Sequence, residues 1–179
     1  MKKKPKINWI INEIAKPISY GKRRAKTSVR GIVIHNTGNS GDTAKNNVWY
    51  FSKRAGTNMR SAGAHFFVDQ EGKIGRSIPM NRSAYSVGNP GGTYAPGAFY
   101  EILNNSNTVS IELCDIMTKA PSQAMIRSVK ILIKYIRAYC PNATEIVRHY
   151  DIVKKDCPHR FVADSAAWQT FRKEIDVWQ

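Results

Sequence analysis

Gly31-Ile32-Val33-Ile34-His35-Asn36-Thr37 decides how the rest of the chain is read. Three apolar residues run without a polar break, so residues 31–35 form a strand buried on both faces. A histidine at the end of such a strand is carried to the rim of the sheet. Glu145-Ile146-Val147-Arg148 repeats the arrangement and delivers His149. Both histidines can therefore open onto one edge of the same sheet. Cys157 follows His149 after a seven-residue loop, long enough to return to that edge.

Outward from these strands the chain alternates. Asn39-Ser40-Gly41-Asp42 turns and can cap a helix. Ala44, Val48, Phe51 and Ala55 then mark one helical face, with Trp49 and Tyr50 as packing residues. Residues 64–69 are a strand, and 70–73 turn it into a hairpin with 74–78. Residues 81–107, rich in Gly, Asn, Pro and Ser, are too long for a simple connection and form a candidate functional loop. Its Tyr85, Tyr94, Phe99 and Tyr100 suit either sugar rings or loop packing. Residues 108–114 are a further strand. Pro121 fits the first turn of a long helix whose inner face is Met125, Val129, Leu132 and Ile136. Residues 164–178 read as a last helix with Trp168, Phe171, Ile175 and Trp178 inward. Alternating strands and helices without a repeat make this one α/β domain around a mostly buried sheet.

The 179 residues suffice for one compact core, and no apolar run approaches the ~18 residues of a membrane span. Residues 1–30 carry ten Lys/Arg against one acid, and the remainder eighteen against twelve, for a net +15. Residues 1–28 are read as a basic arm, either a turn of helix over Ile7–Ile14 or an extended segment, packed on or leading into a domain at 29–179. The charge implies a polyanionic partner, nucleic acid or anionic bacterial wall. More than half of the excess lies in the arm, where Trp9 and Tyr20 are the only aromatics, unlike the interleaving expected of a nucleic-acid binder. The start shows no secretory signal core, so the chain is expected to be made in the cytoplasm and to reach an outside substrate by release or export. Three cysteines without a signal argue against a disulfide framework, and Cys114 and Cys140 read as buried thiols.

Two histidines and a cysteinate are a sufficient protein ligand set for a catalytic zinc with an open position, so His35, His149 and Cys157 form the candidate metal set. His65 reads as structural or groove-lining, and His159 as a hydrogen-bond donor near the site but outside its ligands. Glu112 is an acid in the apolar run Val109-Ser110-Ile111-Glu112-Leu113. It faces a wet cleft, solvent or an arginine. Lys155, two residues before Cys157, is either a surface lysine like Lys154 or an ammonium aimed at the metal's ligand.

The segments IVIHNT (32–37) and RHYDIVKKDCPHR (148–160), with GAHFFVDQEGKI (63–74) and NTVSIELCD (107–115), resemble the zinc-dependent N-acetylmuramoyl-L-alanine amidases of the type-2 class. That class takes in phage amidase endolysins, bacterial autolysins and peptidoglycan recognition proteins. The resemblance runs from about residue 29 to 178. It implies a mixed sheet flanked by helices, with a zinc site at one edge held by His35, His149 and Cys157. It also implies peptidoglycan as substrate, cut between N-acetylmuramic acid and L-alanine; the chain is expected to be a monomer. Glu112 stands where one branch places its base. The tyrosine that other branches set before the histidine of the second strand is Ala64 here. Lys155 would steady the oxyanion. Competing readings are a non-catalytic peptidoglycan-binding module, which the presence of Cys157 disfavours, a zinc peptidase acting within the stem peptide, and a nucleic-acid-binding protein.

Overall fold

The computed structural model describes residues 5–53 and 61–178. Lys2 to Lys4 of the basic start, and Ala55 of the expected helical face, lie outside them. A six-stranded sheet runs in the order β1 (Trp9–Asn12), β5 (Ile74–Arg76), β4 (Phe66–Val68), β7 (Thr108–Leu113), β3 (Gly31–Asn36), β8 (Glu145–Arg148). β3 pairs parallel with both β7 and β8, and β4 pairs parallel with β7 but antiparallel with β5. The sheet is therefore mixed. β2 (Tyr20–Arg23) and β6 (Arg82–Ala84) form a separate antiparallel pair. The helices are α1 (Ala44–Lys53), α2 (Gln123–Tyr139), α3 (His149–Ile152), α4 (His159–Ala163) and α5 (Ser165–Ile175). Among the described residues, no helix is long and apolar enough to cross a membrane.

Strand alternation sorts side chains between two faces. Ile32, Ile34, Val109, Ile111 and Ile146 point into the main core, where Met125, Val129, Leu132 and Ile136 of α2 and Trp168, Phe171 and Ile175 of α5 meet them. Val33 and Val147 point the other way, to a smaller cluster with Val87, Leu103, Ile152 and Val153. In register, Val33 lies opposite Ser110 and His35 opposite Glu112. The parity that buries Ile32 and Ile34 under α2 thus puts His35 and Glu112 together on the opposite face.

Several details depart from the sequence reading. Ile7 to Ile14 do not form a helix: β1 pairs parallel with β5, and Trp9 stacks on Phe66 at 5.7 Å. Capping the open edge of β5 and partly burying an indole outweigh the helical spacing, which leaves Ile10 and Ile14 exposed. Pro121 precedes α2 rather than opening it. Ser122 is the cap, its hydroxyl accepting from the Met125 amide at 3.0 Å. The 39–42 turn does not cap α1 directly. Thr43 accepts from Asn46 N–H, and the buried Asp69 accepts from Ala44 N–H while also holding the amides of Glu71 and Lys73 in the hairpin turn. Trp49 and Tyr50 are not packing residues. With Ala44, Val48 and Ser52 facing inward, both are more than half exposed. Trp178 is not inward either. It lies outside α5 with the Arg137 guanidinium 3.9 Å from its ring, because Arg137 itself fills the interior, donating to Ala143, Thr144 and Val177 carbonyls.

The 81–107 segment contains β6 and then folds against the chain that carries His149. Lys154 N–H donates to Ala95 O, and the amides of Gly97 and Phe99 donate to the carbonyls of Ile152 and Asp151. Gly97 is needed there: a Cβ would stand 2.3 Å from Asp151 O. Tyr94 and Phe99 pack on the smaller core cluster, while Tyr85 and Tyr100 remain partly open to solvent.

Candidate metal centre

Three elements meet at the C-terminal ends of β3 and β8. His35 is the penultimate residue of β3, and His149 is the first residue of α3, directly after β8. Cys157 lies in the turn before α4. Arg148 clamps this segment: its backbone N–H and guanidinium both donate to Asp151, and Nη1 donates to Phe161 O at 2.7 Å. Tyr150 N–H donates to Cys157 O at 2.9 Å, closing the loop back on itself.

The donor atoms of His35, His149 and Cys157 all lie within 4.8 Å of one another. Cys157 Sγ is 3.6 Å from His35 Nδ1, and the two imidazole centroids are 4.9 Å apart. All three residues are buried. Nevertheless His35 Nε2 and both nitrogens of His149 have no hydrogen-bond partner of full geometry. Buried polar atoms are ordinarily satisfied, so such a cluster signals a missing partner.

The electrostatics agree. Burial drives the His35 pKa well below its usual value, helped by the neighbouring His149 and Lys155. Burial and Lys155 lower His149 to about 4, with the Gly88 backbone opposing weakly. Both rings are therefore neutral, the form that donates a lone pair to a metal. Burial, and then Glu112, push the Cys157 thiol up to about 12 in the metal-free chain, so a bound cation must displace its proton. Two neutral imidazoles and a displaceable thiol proton fit a zinc-type cation.

Beside the three donors opens a cleft of about 690 Å³, lined among others by Asn36, Asp42, Tyr50, Glu112 and Lys155. Glu112 Oε2 is enclosed there without a partner. Burial raises its carboxyl to about 7, with Lys155 opposing and Asp42 adding to the shift. Lys155 is half-buried on the cleft wall. Lys154 is exposed and stands over the Tyr150 ring, 4.3 Å from its centroid. The choice that the sequence left open for Glu112 is thus settled in one respect: it faces the cleft, and no arginine pairs with it among the described residues.

The other two histidines stand apart. His65 is fully buried. Its Nδ1 accepts from Ser110 N–H and its Nε2 lies 3.0 Å from Arg82 O, so it ties strands together rather than lining the cleft. His159 donates its backbone N–H to Asn36 Oδ1, while its half-exposed ring pairs with Asp156 at 2.6 Å. The sequence reading missed Asp42, Tyr50 and Asn47 as cleft residues. The only signal available was that this helix follows His35 closely and so starts beside it.

A profile described as N-acetylmuramoyl-L-alanine amidase matches residues 25–160. The chain belongs to the N-acetylmuramoyl-L-alanine amidase family. A curated relative from Bacillus licheniformis, named "Probable N-acetylmuramoyl-L-alanine amidase", is 31% identical over 169 residues, covering 93% of this chain and 47% of its own length. The amidase CwlL of the same organism is 32% identical over 152 residues, covering 83% of this chain and 41% of its own length. The chain thus spans about half the length of these curated relatives. Among solved structures, PlyL superposes with a TM-score of 0.70 at 21% identity, covering 95% of this chain and 98% of that one, a likeness of fold. The mixed sheet expected of an amidase-family domain is the one observed.

Proposed function

We propose that this amidase-family chain is the zinc-dependent catalytic domain of a peptidoglycan hydrolase, cleaving the amide between N-acetylmuramic acid and L-alanine. The observation that carries the reading is the meeting of His35, His149 and Cys157, with unpartnered buried nitrogens, next to a cleft lined by Asn36, Glu112 and Lys155. His35, His149 and Cys157 would hold the zinc. Bound there, zinc supplies Lewis acidity that activates water near neutral pH and polarises the scissile carbonyl.

The chain's own residues supply the rest. Glu112 offers an enclosed oxygen with a pKa near 7, suited to taking a proton from the attacking water and returning it to the leaving nitrogen. Lys155 brings an ammonium to the same wall, where it offsets the negative charge that develops on the carbonyl oxygen. Arg148, Asp151 and the 95–99 backbone hold the His149 segment still, so the donors need little rearrangement on binding. The surplus of basic residues over 1–28 helps a monomeric enzyme stay on an anionic wall, an attachment that weakens as salt rises.

Digestion of purified cell wall, with and without a chelator, tests this. The expected products are soluble fragments carrying new N-terminal alanine, lost on chelation and restored by zinc. A zinc-loaded chain that binds wall but releases no N-terminal alanine is a binding module. Release of a different amino terminus indicates a stem-peptide peptidase.

A further inference from the structure

The parallel strands have two ends, and the metal centre uses only one. At the other end a second cavity of about 180 Å³ opens between the turn before β3, the segment after β5 and the last turn of α2. Lys26, Arg76, Asn81, Tyr135 and Tyr139 wall it, over Met80, and no acid lines it. The described residues make six ion pairs, and neither Lys26 nor Arg76 takes part in one. A third cation stands behind them. The Arg24 guanidinium donates to Met80 O at 3.1 Å and Asn105 O at 3.0 Å, with no carboxylate among its described partners. The buried Cys140 thiol, 4.0 Å from Met80 Sδ, lies within the field of both Arg24 and Lys26. Arg24 and Arg76 are half-buried and Lys26 is exposed, and a bound anion offsets the repulsion among like charges.

The aromatic groups point to which anion. Tyr135 meets Trp9 and Phe66 in edge contacts and lies 4.8 Å from Tyr139. The Lys26 ammonium stands over the Tyr139 ring, 4.8 Å from its centroid. The rings are occupied by the core, by each other and by a cation, so no platform remains on which a nucleic-acid base would stack. What the cavity offers is an ammonium from the turn before β3 and a guanidinium and side-chain amide from residues 76–81, the donor set for a phosphate group.

We propose that this cavity binds the phosphate of an anionic polyol-phosphate chain, anchoring the protein at the end opposite the cleft. The phosphate rests on the cavity itself, whereas the choice of a wall polyol over other phosphate esters rests on the amidase reading. The zinc-loaded whole chain, labelled with ¹⁵N, is titrated with poly(glycerol phosphate), with inorganic phosphate and with oligothymidylate. The expected result is saturable shifts at Lys26, Arg76 and Asn81 with the first two ligands, and an affinity at least tenfold lower in Lys26→Gln/Arg76→Gln. Hydrolysis of soluble muropeptide is expected to be unchanged in that variant. Asn81→Asp, which sets a carboxylate at the mouth, gives the same loss through a different residue. Undiminished polymer binding in both variants, or shifts spread over the basic surface without saturation, overturns the site. Tighter binding of oligothymidylate through the same residues overturns the polyol identity. Binding is read without hydrolysis, so its failure leaves the amidase reading standing, and failure of wall cleavage leaves the phosphate site standing.

Discussion

His35 and His149 at one end of the sheet, and His65 farther back beneath Arg24, are equally buried and equally kept neutral. Burial and charge state do not distinguish them. Their partners do. His65 spends Nδ1 on the Ser110 amide and has Nε2 within 3.0 Å of both Arg82 O and the Arg24 guanidinium, so both its nitrogens are partnered. His35 keeps Nε2 and His149 keeps both nitrogens without a full partner, beside a thiol. A satisfied buried imidazole is a rivet between strands. A pair of unsatisfied ones beside a sulfur is the donor arrangement on which the proposed zinc site rests.

Substitutions at the two kinds of histidine should therefore diverge most in metal content. Cys157→Ser and His149→Ala are each expected to lose most of the bound zinc and with it wall hydrolysis. His65→Gln should keep about one zinc per chain, the stoichiometry of a three-donor site. Elemental analysis beside activity decides it, and full zinc in a His35→Ala/His149→Ala double variant would erase the contrast.

The next largest effect separates donors from base. Glu112→Gln preserves shape but accepts no proton, so turnover should fall by about 10²-fold or more with zinc retained and KM little changed. Near-normal turnover with zinc in place would hand the base to another group. Lys155→Ala should cost less, about tenfold in turnover. Its half-buried ammonium keeps contact with solvent, unlike an enclosed oxyanion donor worth ~10²–10³. Lys154→Ala, on the exposed neighbour, should change nothing, and equal losses at both positions would reduce Lys155 to a surface charge.

The smallest effect is one of stability with pH. Burial and then Arg24 hold His65 down to about 3 in the folded chain, against an unfolded value of 6.5. Between these values the unfolded chain binds the extra proton, so stability is full above about 6.5 and drains as pH falls towards 3. Denaturant midpoints measured from pH 7 to 5 should fall less steeply in His65→Gln than in the parent. Parallel slopes would show that His65 is not the group being titrated.

Much of this was legible before the fold. The unbroken apolar run Ile32-Val33-Ile34 announces a buried strand, because no half-exposed strand tolerates it, and the shorter Ile146-Val147 pair marks its neighbour. The spacing of Met125, Val129, Leu132 and Ile136 marks a helical face that the core then fills. Ile7 to Ile14 misled because helical spacing and edge-strand pairing compete over short segments, and β5 had an edge to offer. Trp178 misled because a periodic face does not say where the next buried side chain begins, and Arg137 had already taken the space.

By itself the sequence determined the central strands β3, β7 and β8 and the principal helices, since these follow from local spacing, and it nominated His35, His149 and Cys157 as candidate donors through their residue chemistry and the family resemblance. Tertiary structure alone decided that β1 closes the sheet, and that Trp49 and Tyr50 face solvent. It also placed Asp42 at Glu112's cleft and gathered Lys26, Arg76 and Arg24 at the far end without an acid. These depend on distances between segments far apart in the chain. Such distances are set by which strand takes which neighbour in the sheet, information that no local pattern of residues contains.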